Sequence, residues 1–324
     1  MAPPDRPRRL IVNADDFGRS SDINAAVLEA HHTGILTSAS LMVNEPAAAE
    51  AIALARAHPS LGVGLHLVLV AGRAALPPDQ IPDLVDVHGV FPDDAVRVGL
   101  RLFFLRRVRD QLEREIAAQF EAFAATGLTL DHVNGHLNLH LHPTVFSRLQ
   151  AGAPRPEPTP LRWTRDPFWL NTRLAHGRWG YRISHAVIFR ALTAWARPRL
   201  RRAGVRHTAR VFGLLQNGQV DELFLAGLIE RLPPGDSEVY AHPSLSRFRH
   251  EFEALVSPRI KAAVVRHGIQ PNPVSGICRR FASGRSHGRP WRAAGRGTVD
   301  LRSAGAGFPP TPLPASPSPC SSSS

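Results

Sequence analysis

The sequence predicts an α/β fold built around a mainly parallel sheet, on two observations. Five short segments run apolar and reach a charged or polar group, in all but the Arg162 segment one that can bind a metal or move a proton. They are residues 10–16 (LIVNADD), 63–66 (VGLH), 130–136 (LDHVNGH), 161–163 (LRW) and 239–242 (VYAH). Apolar runs of this length read as buried parallel strands. In addition, residues 8–150 alternate such runs with helical patterns, the signature of βαβ units. In barrel-like α/β folds catalytic groups gather at the C-terminal ends of the strands. One carboxylate after a strand means little, but the same placement recurring along the chain points to a converging metal site.

The elements follow in order. After the first strand, Ser21 or Asp22 is expected to cap a helix through Ile23, Val27 and Ala30, with Gly34 as its stop. A second strand is expected over residues 38–43 and an alanine-rich helix over 47–57, ending before His58-Pro59. The clearest helix is 108–125, where Leu112, Ile116, Phe120 and Phe123 recur at three-to-four spacing with Glu and Arg between them, until Gly127 ends it. Residues 151–258 keep a helix-and-strand texture around an aromatic, arginine-rich stretch at 162–210. A last helix is expected over 259–267. From about Gly268, Pro, Gly, Ser and Arg dominate, a composition that cannot bury enough apolar surface to offset chain entropy. The expected organisation is therefore one catalytic domain over 8–267 and a disordered, low-complexity tail over 268–324.

Composition narrows the class. The 324 residues, 43% hydrophobic, suffice for one barrel or two smaller domains. Cys278 and Cys320 are the only cysteines, which excludes a disulfide framework and a cysteine-rich zinc site. The net charge of +12 invites a nucleic-acid or membrane-binding protein, but from Arg259 onward ten Lys or Arg face one acid, Asp300. The first 258 residues then carry only +3. Basicity belongs mostly to the tail, and no nucleic-acid partner is expected. No apolar run approaches membrane length and no signal peptide is evident, so the expected location is cytoplasmic, with peripheral contact to the inner membrane through the basic tail. The oligomeric state is not legible.

The candidate chemistry starts at Asp15-Asp16. Neighbouring side chains point in different directions, so one carboxylate can hold a metal while the other faces a water; a turn pair fits equally well. His66, alone on an apolar strand, reads by itself as a core histidine. His132, His136, His140 and His142 fall within eleven residues. Four imidazoles so close are seldom all structural, though spacing does not say which of them bind. One Asp and two His with open positions suit Zn²⁺, or a six-coordinate ion completed by water.

The segment at residues 11–18 (IVNADDFG), the strand 64–66 (GLH) and residues 132–140 (HVNGHLNLH) resemble the YdjC-like carbohydrate deacetylase family. The closer likeness, in residues 132–143, 211–215 and 238–243, is to its hopanoid-biosynthesis-associated branch, HpnK. The resemblance implies a deformed (β/α) barrel, TIM-like and of the glycoside hydrolase/deacetylase type. It implies one divalent ion, Mg or Zn, on Asp16, His66 and His136, with Asp15 as general base and His242 as acid for the departing amine. Arg162 and His140 are the expected substrate contacts. The implied substrate is an N-acetylated amino sugar, in this branch one carried by a hopanoid. Chitooligosaccharide deacetylation, another metal-dependent hydrolysis such as phosphoester cleavage, and an arginine-rich membrane-binding protein are the alternatives. The lack of a phosphate-cradling glycine-rich loop weighs against the phosphoesterase.

Overall fold

A computed structural model describes residues 7–151 and 159–277. Strand β1 (Arg8–Phe17) leads into α1 (Ser21–Thr33), β2 (Ser38–Leu41), α2 (Ala48–Ala57) and β3 (Gly62–Leu67). A long loop then reaches α3 (Ala95–Phe104) and α4 (Arg106–Ala125), followed by β4 (Val133–Gly135) and a 3₁₀ segment, His136–Leu141. The helices α5 (Pro143–Ala151), α6 (Phe168–Leu174) and α7 (Trp179–Arg202) precede β5 (Arg210–Phe212), α8 (Glu222–Arg231) and β6 (Gly235–Ala241). The described chain ends with α9 (Arg249–Val256), α10 (Pro258–Arg266), β7 (Gln270–Pro271) and α11 (Val274–Ile277).

Every strand pairing is parallel, in the order β4-β3-β2-β1-β6-β5, with β7 beside the start of β1. Both ends of this path meet the same segment. Val133 N–H donates to Pro160 C=O and Arg162 N–H to Val133 C=O; Leu161 N–H donates to Arg206 C=O and Val211 N–H to Arg165 C=O. Residues 160–165 therefore close the curled sheet, in keeping with the deformed barrel expected. They do so without becoming a strand: Leu161 makes only one bridge, to Val133, where a strand was expected over 161–163. Pro160, at the head of the run, has no N–H to donate to a ladder.

Local chemistry explains the other boundaries. Ser20, not Ser21 or Asp22, caps α1, because its extended backbone leaves its hydroxyl free to accept from Ile23 N–H. Gly64 has no room for a side chain, since a Cβ would lie 2.5 Å from the His132 carbonyl oxygen. Its absence lets β3 and the strand carrying the histidines pack closely. The chain also stays packed beyond Gly268. Asn272 N–H donates to Leu10 C=O, Val274 N–H donates to the Asp131 carboxylate, and Val274 is buried against Ile11. The tail expected to be disordered lies, from residue 278, outside the described residues. No helix among the described residues is long and apolar enough to cross a membrane.

Candidate metal centre

The strand ends of β1, β3 and β4 deliver one donor each to a single point. Asp16 Oδ1 lies 3.0 Å from His136 Nδ1 and 3.3 Å from His66 Nε2, and the two histidine nitrogens are 3.4 Å apart. All three residues are buried. Around an ion about 2.1 Å from each ligand, neighbouring donors sit roughly 3.0–3.4 Å apart, so this triangle fits a small divalent cation. Among the described residues it is also the group of acids and histidines so gathered.

The backbone is bent to build it. The β1–β2 register slips between Ala14 and Phe17, and Asp16 sits at φ 65. Few residues accept that left-handed conformation; Asp is among the more tolerant, and such positions cluster at functional sites. The bulge turns Asp15 and Asp16 to different neighbours.

His66 is held in one tautomer. Asn134 donates through Nδ2 to Ser40 Oγ and Asp15 Oδ1, so its Oδ1 faces His66 Nδ1 at 2.7 Å and accepts from it. The lone pair of His66 Nε2 is thereby directed to the triangle, the usual support for a metal-bound imidazole. Burial opposes the charge of Asp16, but His136 and His66 beside it hold its carboxyl well below the usual range. The fourth neighbour is Arg19, whose Nη1 donates to Asp16 Oδ2 at 3.1 Å and lies 3.4 Å from His136 Nε2.

Asp15 lies behind the triangle. Arg162 grips it with two bonds, Nη1 to Oδ2 at 2.7 Å and Nη2 to Oδ1 at 2.8 Å, while its Nε donates to Glu238 at 2.6 Å. Burial alone would raise the Asp15 pKa; Arg162 outweighs it and keeps the carboxyl far below the ordinary carboxylate value. Arg162, expected at the substrate, is itself 2% exposed, stacked over the Tyr240 ring at 4.4 Å. His140, the other expected substrate contact, is fully buried and donates through Nε2 to the Arg162 carbonyl at 2.9 Å. Burial pushes its pKa down to about 3. Arg162 thus grips Asp15 directly, while His140 holds the Arg162 backbone from behind.

His132 and His142 stay outside the triangle. His132 Nδ1 donates to Asp131, and its Nε2 accepts from Ser40, so both nitrogens are occupied. His242, at the end of β6, is the one site histidine driven upward. Burial opposes its charge, but Glu251, which accepts from its backbone N–H and lies 3.7 Å from Nδ1, raises its pKa to about 9, with Asp16 and Asp15 adding to the effect. Arg19, Glu238 and Glu251 escaped sequence reasoning as site residues. The available signal was Glu251 itself, a carboxylate on the same helix stripe as buried Ala254 and Leu255.

Known proteins agree with this architecture. A crystal structure from Enterococcus faecalis V583, bearing the name of a cellobiose-phosphate cleavage protein, superposes with a TM-score of 0.65 at 23% identity, over 84% of this chain and 100% of that one. A carbohydrate deacetylase of Geobacillus stearothermophilus is 47% identical over 149 residues, 46% of this chain and 57% of its own length. The chain thus spans little more than half of that relative. A chitooligosaccharide deacetylase of Serratia marcescens is 29% identical over 277 residues, 80% of this chain and 95% of that protein. The family model for YdjC-like proteins matches residues 9–266, and the chain belongs to that family.

Proposed function

We propose that this chain is a metal-dependent hydrolase that removes the acetyl group from an N-acetylated amino sugar. The observation that carries the reading is the donor triangle of Asp16, His66 and His136 with an ionised carboxylate, Asp15, next in sequence. The names of the relatives supply the reaction class. A divalent ion held by the three donors would supply a Lewis acid for the acetyl carbonyl and lower the pKa of the attacking water.

The remaining steps belong to the protein's own groups. Asp15 takes the proton from the water through Oδ2, since Oδ1 already accepts from Asn13, Asn134 and Arg162. Arg162 fixes that carboxylate and keeps it ionised. His242, charged at neutral pH, gives a proton to the amine as the C–N bond breaks. The finer substrate, by the likeness to the hopanoid-associated branch, is an N-acetylglucosaminyl hopanoid.

The test measures acetate release from N-acetylglucosaminyl hopanoid and from diacetylchitobiose, with chelator and with added Mg²⁺ or Zn²⁺. Release from either that needs the ion supports the reaction; faster release from the lipid supports the finer substrate. Asp15→Asn is expected to keep the metal content while lowering turnover by about 10²–10⁴-fold. A near-normal rate would make Asp15 a turn residue, and unchanged metal content in His66→Ala or His136→Ala would remove the ligand assignment.

A further inference from the structure

Charge within the described fold is segregated. From Pro167 to Val220 the sequence holds ten arginines and no acidic residue, although the first 258 residues together carry only +3. The rest of those residues are therefore acidic by seven. Six of those ten arginines lie on α7, a helix of 24 residues of which only Arg182, Thr193, Ala196 and Leu200 are buried. Its outer face is not simply polar. Trp179, Ile183, Val187, Arg190, Ala194 and Arg197 are all exposed and follow one another by three or four residues, so they form one stripe. Ile183 and Val187 are 50% and 64% exposed.

The helix α3 repeats the pattern. Val98 and Leu102 face the core, while Val96, Leu100 and Phe103 are exposed at the same three-to-four spacing. Between Asp94 and Asp110 there are five arginines and no acid. Both α3 and α7 pack against α5 and against the 3₁₀ segment that carries His136, where Leu137 is 45% exposed. A cleft lined by Arg109, Thr144, Ser147, Arg148 and Trp195 lies among α4, α5 and α7.

We propose that α7, with α3, is a docking surface for an anionic lipid bilayer, which places the 3₁₀ segment of the candidate site against the membrane. Apolar side chains at one end of a stripe and arginines along the rest suit an interfacial helix, whose apolar face enters the acyl boundary while the cations meet lipid phosphates. A second copy of the chain is a poor occupant, because it would set an acid-free, arginine-rich face against itself. A bare polyanion leaves Trp179, Ile183 and Val187 without a role.

The test is flotation of the full chain with vesicles of phosphatidylcholine, alone or mixed with phosphatidylglycerol. Binding is expected only with phosphatidylglycerol. Ile183→Ser with Val187→Ser should lower the partition tenfold or more at any salt. Arg190→Gln with Arg197→Gln should lower it by roughly tenfold or more, mainly at low salt. Melting curves of both double variants should match the parent, since all four positions are exposed. Parent-like vesicle binding by either variant overturns the proposal and assigns the binding elsewhere, as to the basic tail. Binding to duplex DNA but not to these vesicles also overturns it, as does a dimer that Ile183→Ser and Val187→Ser abolish without any vesicle binding. A chain that floats through α7 yet releases no acetate keeps this surface and removes the deacetylase reading instead.

Discussion

Burial works against the charge of both Asp15 and His242, and in each case one partner leads the groups that reverse it. Arg162 holds Asp15 ionised; Glu251 holds His242 protonated to about pH 9. A raised histidine pKa means that the acid form is present below about 9 and is lost as pH rises through it. The alkaline limb of kcat/KM should therefore fall near pH 9, and Glu251→Gln should move that limb toward the ordinary histidine value of 6.5. A pH–rate profile in which the limb stays in place would show that another group sets it. The three residues of the donor triangle were legible in the sequence because each ends an apolar strand and matches a motif. Their partners were not: Glu251 meets the site only through folding, and Arg19, though three residues after Asp16, reaches His136 only there. Nor could spacing tell His136 from His140; that choice is made by the kink at Leu137 and Asn138, both at positive φ, which turns the later histidines inward.

At the scale of elements, α4 shows what a periodicity does and does not convey. Its apolar stripe through Leu112, Ile116, Phe120 and Phe123 was readable, and all four are buried. Of the polar residues between them, Glu115 and Gln119 are fully buried. Gln119 accepts from Val68 N–H and donates to Val68 C=O, and Glu115 accepts from Ala75 and Leu76 N–H. These two side chains stand in for a neighbouring strand, capturing the loop that leaves β3 just after His66. Replacing Gln119 by Leu leaves two buried backbone groups without partners, at about 1–3 kcal/mol each. The melting temperature should drop by roughly 5–15 °C. A drop of a degree or less would mean that the loop finds other partners.

For the molecule as a whole, the parallel α/β order was legible from alternating patterns, while the closure was not. The ring is completed by residues whose backbone pairs without strand character, and the strap formed by β7 and α11 follows a glycine in Pro-rich text. That strap ends a continuous line of hydrogen bonds: Val274 N–H to Asp131, Asp131 to His132, His132 to Ser40, Ser40 to Asn134, and Asn134 to His66. A chain ended after Gly268 loses the burial of Val274, worth about 1.5–3 kcal/mol, and the amide on Asp131. It should melt roughly 4–10 °C below a chain ended after Ile277. Equal melting of the two would detach the strap from the fold.

The segment at 160–165 carries one more consequence. Among the described residues it joins the two sheet ends by the four backbone bonds already named, whereas β1 and β6 run in register over seven residues. Local opening is cheapest where such bonds are fewest, so deuterium should enter at the amides of Leu161, Arg162 and Val211 well before those of β1. Each opening also withdraws Arg162 from Asp15. The exchange clock of this seam therefore counts how often the proposed base loses its counter-ion, and anything that binds at the donor triangle should slow that clock from a distance.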